Sequence, residues 1–324
     1  MIPMIRLKGL EVPAVVQSPM ANCTDLSFRL IAREQGMRFA FLEMISARML
    51  LEENRVTSGR LKTEAADRPA GLQLVGCDPG EMGEAAAKAE GLGFPLIDMN
   101  LGCPVPKVVS KGGGSELLRT PEKAGAIFRR VVRSVRRAPV TVKMRLGYAD
   151  TTGSEAVRIA RIAEEAGVDA VAVHGRTRQQ GYSGSADYEG IRRVKEAVRI
   201  PVYGNGDVMD GPSARRLREV SGCDGVMVGR GGLGNPWIYR EIESALGSGG
   251  WTPPAGAERK QTLLKHIDLV CRYERWPIGP LRRIICWYAK SFPRAAEFRN
   301  AVHHAETVEA MRRIVEEAFQ TEEN

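Results

Sequence analysis

A (β/α)₈ barrel followed by a small helical domain is the architecture that this sequence predicts, and three observations predict it. Short apolar runs rich in β-branched residues recur eight times along the chain. Amphipathic helical patterns separate most of them, and strand–helix alternation of this kind argues for parallel pairing and closure. The length of 324 residues also exceeds the roughly 250 that a barrel commonly needs by enough for one small appendage.

The eight runs lie at 14–20, 39–44, 70–76, 96–102, 140–147, 170–176, 201–207 and 224–231. Between them, Thr120-Pro121-Glu122 places a cap, an N1 proline and an acid at a helix start, and Ser154 and Gly167 frame another helix. Beyond the last run, Gly247-Ser248-Gly249-Gly250-Trp251-Thr252-Pro253-Pro254 breaks both periodicities and predicts a linker over 247–256. It divides a barrel domain at 1–246 from a domain at 257–324 with helical spacing and no clear strand pattern.

Composition sets the class. Hydrophobic residues at 43% and charged residues at 27% are ordinary for a globular protein with a large core and exclude a disordered chain. Arg6 and Lys8 interrupt the apolar start, and no later stretch is long and apolar enough to span a membrane, so a cytoplasmic monomer without membrane contact is expected. The cysteines at 23, 77, 103, 223, 271 and 286 form no C-x-x-C pair, so neither a metal site nor a disulfide framework is expected. A net charge of +8 and a pI near 9.3 favour a polyanionic partner.

Polar residues lie late in six of the runs: Gln73, Asn100 with Cys103, Lys143 with Arg145, His174 with Arg176, Asn205 with Asp207, and Arg230. Barrel active sites form where strands end and βα loops begin, so these groups are expected to converge on one mouth. The seventh run ends in Asn205-Gly206-Asp207 and the eighth in Gly229-Arg230-Gly231-Gly232, where glycines admit close approach of backbone N–H groups to a phosphate.

Five motifs occur in order: Ser18-Pro19-Met20-Ala21 with Thr24-Asp25, Asn100-Leu101-Gly102-Cys103-Pro104, Val142-Lys143-Met144-Arg145, His174-Gly175-Arg176-Thr177 and Asn205-Gly206-Asp207. Together they resemble the tRNA-dihydrouridine synthase family over nearly the whole chain. The resemblance implies FMN as cofactor, NADPH as reductant and tRNA as substrate. It implies that Pro19, Met20 and Ala21 line the flavin, that Gln73 and Lys143 contact its ring with His174 close by, and that Asn205, Gly206, Asp207, Gly229 and Arg230 hold the ribityl phosphate end. Cys103 is the implied catalytic acid. Asn22-Cys23 departs from the glycine and aliphatic residue more usual in that family, which bears on the shape of the first loop.

The chemistry suits these residues. Reducing the C5=C6 bond of uracil requires a hydride at C6 and a proton at C5, and a thiol with an ordinary pKa of about 8.5 carries its proton at neutral pH. Lys107 and Lys111 are positioned in sequence to lower that value. Lys143 interrupts an apolar strand and needs an acceptor, which a reduced flavin anion or an acid in the mouth supplies. The Gly112-Gly113-Gly114 run reads either as a mobile lid over the mouth or as a passive loop.

Asn100, Arg176 and Arg178 are candidate contacts to the RNA at the mouth. Between Arg272 and Arg299 seven basic residues face two acids with six aromatics interleaved. The aromatics read better as the small domain's core, whereas Arg282 and Arg283 are the strongest RNA-contact candidates there. Two rivals remain at this level: a flavin dehydrogenase acting on free dihydropyrimidines or dihydroorotate, which would not need the basic appendage, and a non-catalytic RNA-binding barrel, which would not need Cys103 and Lys143.

Overall fold

The computed structural model describes residues 3–52, 59–247, 249–292 and 294–320, so Ser248 of the expected linker and the last four residues of the expected helical domain lie outside the described residues. Its strands are β1 (Met4–Leu7), β2 (Leu10–Pro13), β3 (Val15–Gln17), β4 (Ala40–Phe41), β5 (Ile45–Ser46), β6 (Ala70–Val75), β7 (Ile97–Leu101), β8 (Val140–Gly147), β9 (Ala170–Thr177), β10 (Val202–Asn205) and β11 (Gly225–Val228).

From β3 onward the pairing is parallel, in the order β3-β11-β10-β9-β8-β7-β6-β4, with β5 also on β6. All eight sequence runs carry a strand, most of them shorter than the run because its polar tail becomes a βα loop. The second run carries β4, and β5 follows directly after it.

Closure between the first and second barrel strands depends on one side chain. The Gln17 backbone N–H donates to the Phe39 carbonyl at 3.1 Å, and the Gln17 Oε1 accepts from the Phe41 N–H at 2.9 Å. A side-chain amide thus stands where a ladder bond would be, and Gln17 is fully buried.

The β1–β2 hairpin is not anticipated by the sequence reading. Lys8 and Gly9 both adopt left-handed backbone, φ 46° and 91°, as a two-residue turn matched to strand twist requires. The hairpin plugs the N-terminal end of the barrel: Leu7 and Val12 join Val16, Phe39, Phe41, Leu96, Tyr203 and Met227 in one apolar cluster. The Tyr203 hydroxyl donates to the Pro13 carbonyl at 3.2 Å and ties the plug down. Only the opposite end remains for polar groups.

Helices cover the outside of the barrel. The helix Pro121–Ser134 begins at the Thr120-Pro121 signal, but the Thr120 side chain makes no capping bond. The helix Ser154–Glu165 is capped from further back, by Asp150, whose carboxylate accepts from the N–H groups of Thr152 and Ser154 at 2.8 and 3.0 Å.

Among the described residues after the barrel come four α-helices, Gly256–Tyr273, Ile278–Tyr288, Ala295–His304 and Val308–Gln320, with their own core of residues such as Leu263, Ile267, Ile285, Val302 and Met311. Phe292 meets Phe298 and Phe319 edge to face at 4.7 and 4.9 Å. The helix Gly256–Tyr273 packs on the barrel helix Leu26–Glu34, and Trp287 touches both cores. Among the described residues no helix is long and apolar enough to cross a membrane, and no group of His, Cys, Asp and Glu is placed to hold a metal ion.

Candidate active site

A cavity of about 460 Å³ opens at the C-terminal ends of the strands. Pro19, Met20, Ala21, Gln73, Asn100, Cys103, Lys143, His174, Asn205, Gly206, Asp207, Gly229 and Arg230 all line it, so thirteen sequence candidates from seven strand ends meet in one place. Arg176, Arg178, Arg282 and Arg283 do not line it.

The first loop is shaped by its own motif. The Met20 N–H donates to Thr24 Oγ1 at 3.0 Å, and Asp25 caps the helix Leu26–Glu34 by accepting from the Phe28 N–H at 2.9 Å. Buried Arg29 holds the loop from below, bonding the Thr24 carbonyl at 2.7 Å and Asp67 at 2.8 Å. Asn22, where the sequence departs from the usual glycine, has φ 60°, a left-handed conformation that asparagine tolerates better than most residues.

A polar relay runs from the barrel interior to Cys103. Asp98 accepts from Thr141 Oγ1 and Gln73 Nε2, each at 2.6 Å. Gln73 Oε1 in turn accepts from Asn100 Nδ2 at 2.8 Å. Asn100 Oδ1 then accepts the backbone N–H groups of Gly102 and Cys103 at 3.1 and 2.8 Å. Asp98 carries no obvious signal in sequence, since it sits mid-strand among apolar neighbours.

Burial sets the titration behaviour. Burial pushes Asp98 up to about 6, against the bonds from Thr141 and Gln73 and the charge of Lys143. Burial pushes Lys143 down to about 8, helped by the Arg145 charge and opposed by Asp98. Asp98 acts on Lys143 as a charge, because its oxygens are already bonded to Thr141 and Gln73. His174 is held far below its ordinary value by burial and then by Lys143, Arg145, Arg176 and Arg230, so its imidazole is neutral.

Cys103 is 7% exposed, and burial pushes its thiol up against the Val105 N–H and the Arg145 charge. This corrects the sequence expectation about Lys107 and Lys111: the cation that acts on Cys103 is Arg145, and the net shift is upward. Arg145 is held by the carbonyls of Gly102, Thr177 and Gly181, each at 2.9 Å. Gly114 has φ 57°, and a Cβ there would lie 2.7 Å from the Cys103 carbonyl oxygen, so the glycine run 112–114 is packed beneath the cysteine as its support.

The turn after β10 takes a conformation that only glycine accepts. Gly206 has φ 123°, and a Cβ would meet Ala186 at 2.8 Å and His174 at 3.1 Å. Gly229 differs: the nearest protein atoms to a Cβ would be 3.7 Å away, so its bare face is left open on the cavity. Arg230, 47% exposed at its side chain, stands beside it with Tyr182 stacked on its guanidinium at 4.2 Å. Tyr182 lines the cavity and was not singled out in sequence, where a loop tyrosine in Gln180-Gly181-Tyr182 is unremarked by any pattern.

Arg176 is corrected from an RNA contact to an internal tie. It is 2% exposed, both terminal nitrogens bond Asp207 at 2.8 Å, and its Nε bonds the Ser183 carbonyl at 3.2 Å. Arg178 lies over the Tyr148 ring at 5.0 Å, with Arg119 also 5.0 Å from that ring. In the helical region Arg282 bonds the Ala305 carbonyl at 3.0 Å and Arg283 lies over Trp287 at 5.8 Å.

The donor set fits a flat anionic cofactor with a phosphate. Half-buried Lys143, buried Arg145, a neutral histidine and the three amides Gln73, Asn100 and Asn205 line the cavity, and an open glycine with an exposed arginine stands beside them.

A family model described as dihydrouridine synthase matches residues 16–324 of the chain. A probable tRNA-dihydrouridine synthase of Rickettsia conorii is 40% identical over 307 residues, covering 93% of this chain and 92% of the relative. The tRNA-dihydrouridine synthase B of Pseudomonas aeruginosa is 38% identical over 324 residues, covering 99% and 97%. Among solved structures, histamine dehydrogenase from Rhizobium sp. 4-9 superimposes with a TM-score of 0.59 at 14% identity, over 75% of this chain and 47% of that one, a likeness of barrel fold alone.

Proposed function

The chain belongs to the dihydrouridine synthase family, and on that premise we propose that it reduces the C5=C6 bond of uridine in tRNA, with FMN as hydride carrier, NADPH as reductant and Cys103 as proton donor. The observation that carries this reading is the meeting of a protonated thiol, Cys103, and a half-buried cation, Lys143, on one cavity at the barrel mouth.

When bound, FMN supplies the hydride. Pro19, Met20 and Ala21 would flank its ring, Lys143 and Gln73 would bond its polar edge, and Asn205, Gly206, Gly229 and Arg230 would receive the phosphate end. Asp207 acts by holding Arg176 and the Ala186 backbone N–H. Neutral His174 donates or accepts one hydrogen bond without adding a charge. Asn100 fixes the backbone of Cys103, and the thiol delivers its proton to C5 as charge develops toward O4 of the uracil.

A uridine in folded RNA must leave its stack to reach such a depth. The barrel, 1–246, would carry the chemistry, and the helices after 257 would share in holding the tRNA. The test is mass mapping of unmodified tRNA incubated with the FMN-loaded protein and NADPH. Uridine is expected to gain two hydrogens at defined positions, and the absence of any such gain would overturn the reading.

A further inference from the structure

Trp276 is 76% exposed, the most solvent-open large apolar side chain among the described residues, while Tyr288, Phe292 and Phe298 of the same helical region are buried. It sits in the turn between the helices Gly256–Tyr273 and Ile278–Tyr288, and the Arg275 guanidinium lies 5.3 Å from its ring centre. An exposed indole backed by a cation presents a π-face and a positive charge together.

The turn is tied to the cavity rim. Lys62 Nζ donates to the Tyr273 carbonyl at 3.5 Å, and the Tyr273 hydroxyl bonds Glu64. The carbonyl of the same Lys62 accepts from Arg29 at 2.9 Å, and Arg29 also holds Thr24, next to the cavity-lining Cys23. One buried arginine therefore braces both the first loop of the mouth and the segment on which this turn rests.

We propose that Trp276 and Arg275 form a stacking platform for one unpaired base of the RNA substrate, on the rim and outside the catalytic cavity. The proposal rests on the tRNA reading above. Arg272, Glu274 and Arg275 around the indole are exposed and charged, so the apolar surface is a single ring. A protein interface needs a contiguous buried patch of about 1,200 Å² in total, which a lone ring in a polar surround does not offer. A base needs only one ring and a cation near its phosphate.

The test is tRNA affinity of the FMN-loaded full chain for wild type, Trp276→Ala and Trp276→Phe, at several salt concentrations, with dihydrouridine formation followed in parallel. Loss of one stacked base predicts a roughly 5-fold to 150-fold weaker Kd for Trp276→Ala, most of it restored by Trp276→Phe. The slope of log Kd against log salt is expected to stay as in wild type, because a ring and not a phosphate contact is lost. Iodide quenching of tryptophan fluorescence should fall when tRNA binds. Equal affinity in wild type and Trp276→Ala overturns the platform, as does a dependence on protein concentration that marks the ring as a self-association contact. Wild type that binds tRNA and forms no dihydrouridine overturns the proposed function alone, and wild type that fails to bind tRNA overturns both.

Discussion

The side-chain oxygen of Asn100 accepts the backbone N–H of Cys103 at 2.8 Å, so the carboxamide at the end of one strand sets where the thiol stands. Asn100→Ala would leave two backbone donors and the Gln73 oxygen without that partner. The expected result is a tRNA-dependent flavin reoxidation slower by about 10²-fold, the scale of a displacement of the reacting group by an ångström, with NADPH-dependent flavin reduction nearly unchanged. Stopped-flow measurement of the two half-reactions separates them. Equal slowing of both would show that Asn100 supports the cofactor and not the cysteine.

Cys103→Ala is expected to retain FMN and accept hydride from NADPH but to reduce uridine about 10²–10⁴-fold more slowly, the usual contribution of a general acid. The pH dependence has a definite sign. Burial raises the thiol pKa, so the proton-donating form is complete through neutrality and persists beyond the ordinary thiol value of about 8.5 before it is lost. The rate of the uridine step in wild type should therefore be level near neutral pH and fall only on the alkaline side of that value. A fall centred near pH 7 would assign the proton to another group.

Asp98→Asn removes the negative charge that holds the proton on Lys143, whose pKa burial has already lowered to about 8. Loss of that charge moves Lys143 further down, so its cationic form is lost at a lower pH than in wild type. FMN titrations are expected to show similar affinity for the two proteins near pH 6 and a weaker variant by pH 8. Superimposable pH profiles would show that Asp98 acts only through its bonds to Thr141 and Gln73.

What the sequence reveals divides along the range of the forces involved. Asn100 and Asn205 are legible because a polar residue closing an apolar β-run is a local pattern, and Lys143 and His174 because each belongs to a recognisable motif with the arginine two residues on; the barrel brings all four to one mouth. Gln17 closing the barrel through Phe39 and Phe41, Asp98 beneath Gln73, and Arg176 clamped on Asp207 are pairings across 22 to 31 positions that no local pattern announces. The hairpin at Lys8-Gly9 is a different case, since its signal is local: a glycine between two short alternating stretches. Sequence proximity points to Lys107 and Lys111 as the charges beside Cys103, while the fold delivers Arg145 from the neighbouring strand.

The two adjacent arginines of the helical region separate into different roles. Arg282 bonds the Ala305 carbonyl at the C-terminal end of the helix Ala295–His304, where a cation also suits the helix dipole. Arg282→Ala should therefore cost about 1–2 kcal/mol of stability, read as a lower Tm, and only a small part of tRNA affinity. Arg283 lies over Trp287, and its charge reaches both Glu274 and the cavity-lining Cys23, which puts it on the mouth side. Arg283→Ala is expected to weaken tRNA binding and to reduce the slope of log affinity against log salt by roughly 0.7–0.9, the signature of one lost phosphate contact, with flavin content and Tm close to wild type. Affinity at several salt concentrations, measured beside thermal unfolding for each single variant, distinguishes the two. A normal slope in Arg283→Ala would return that side chain to packing against Trp287, and Arg178 with Lys107 and Lys111 at the barrel mouth would then become the leading phosphate contacts.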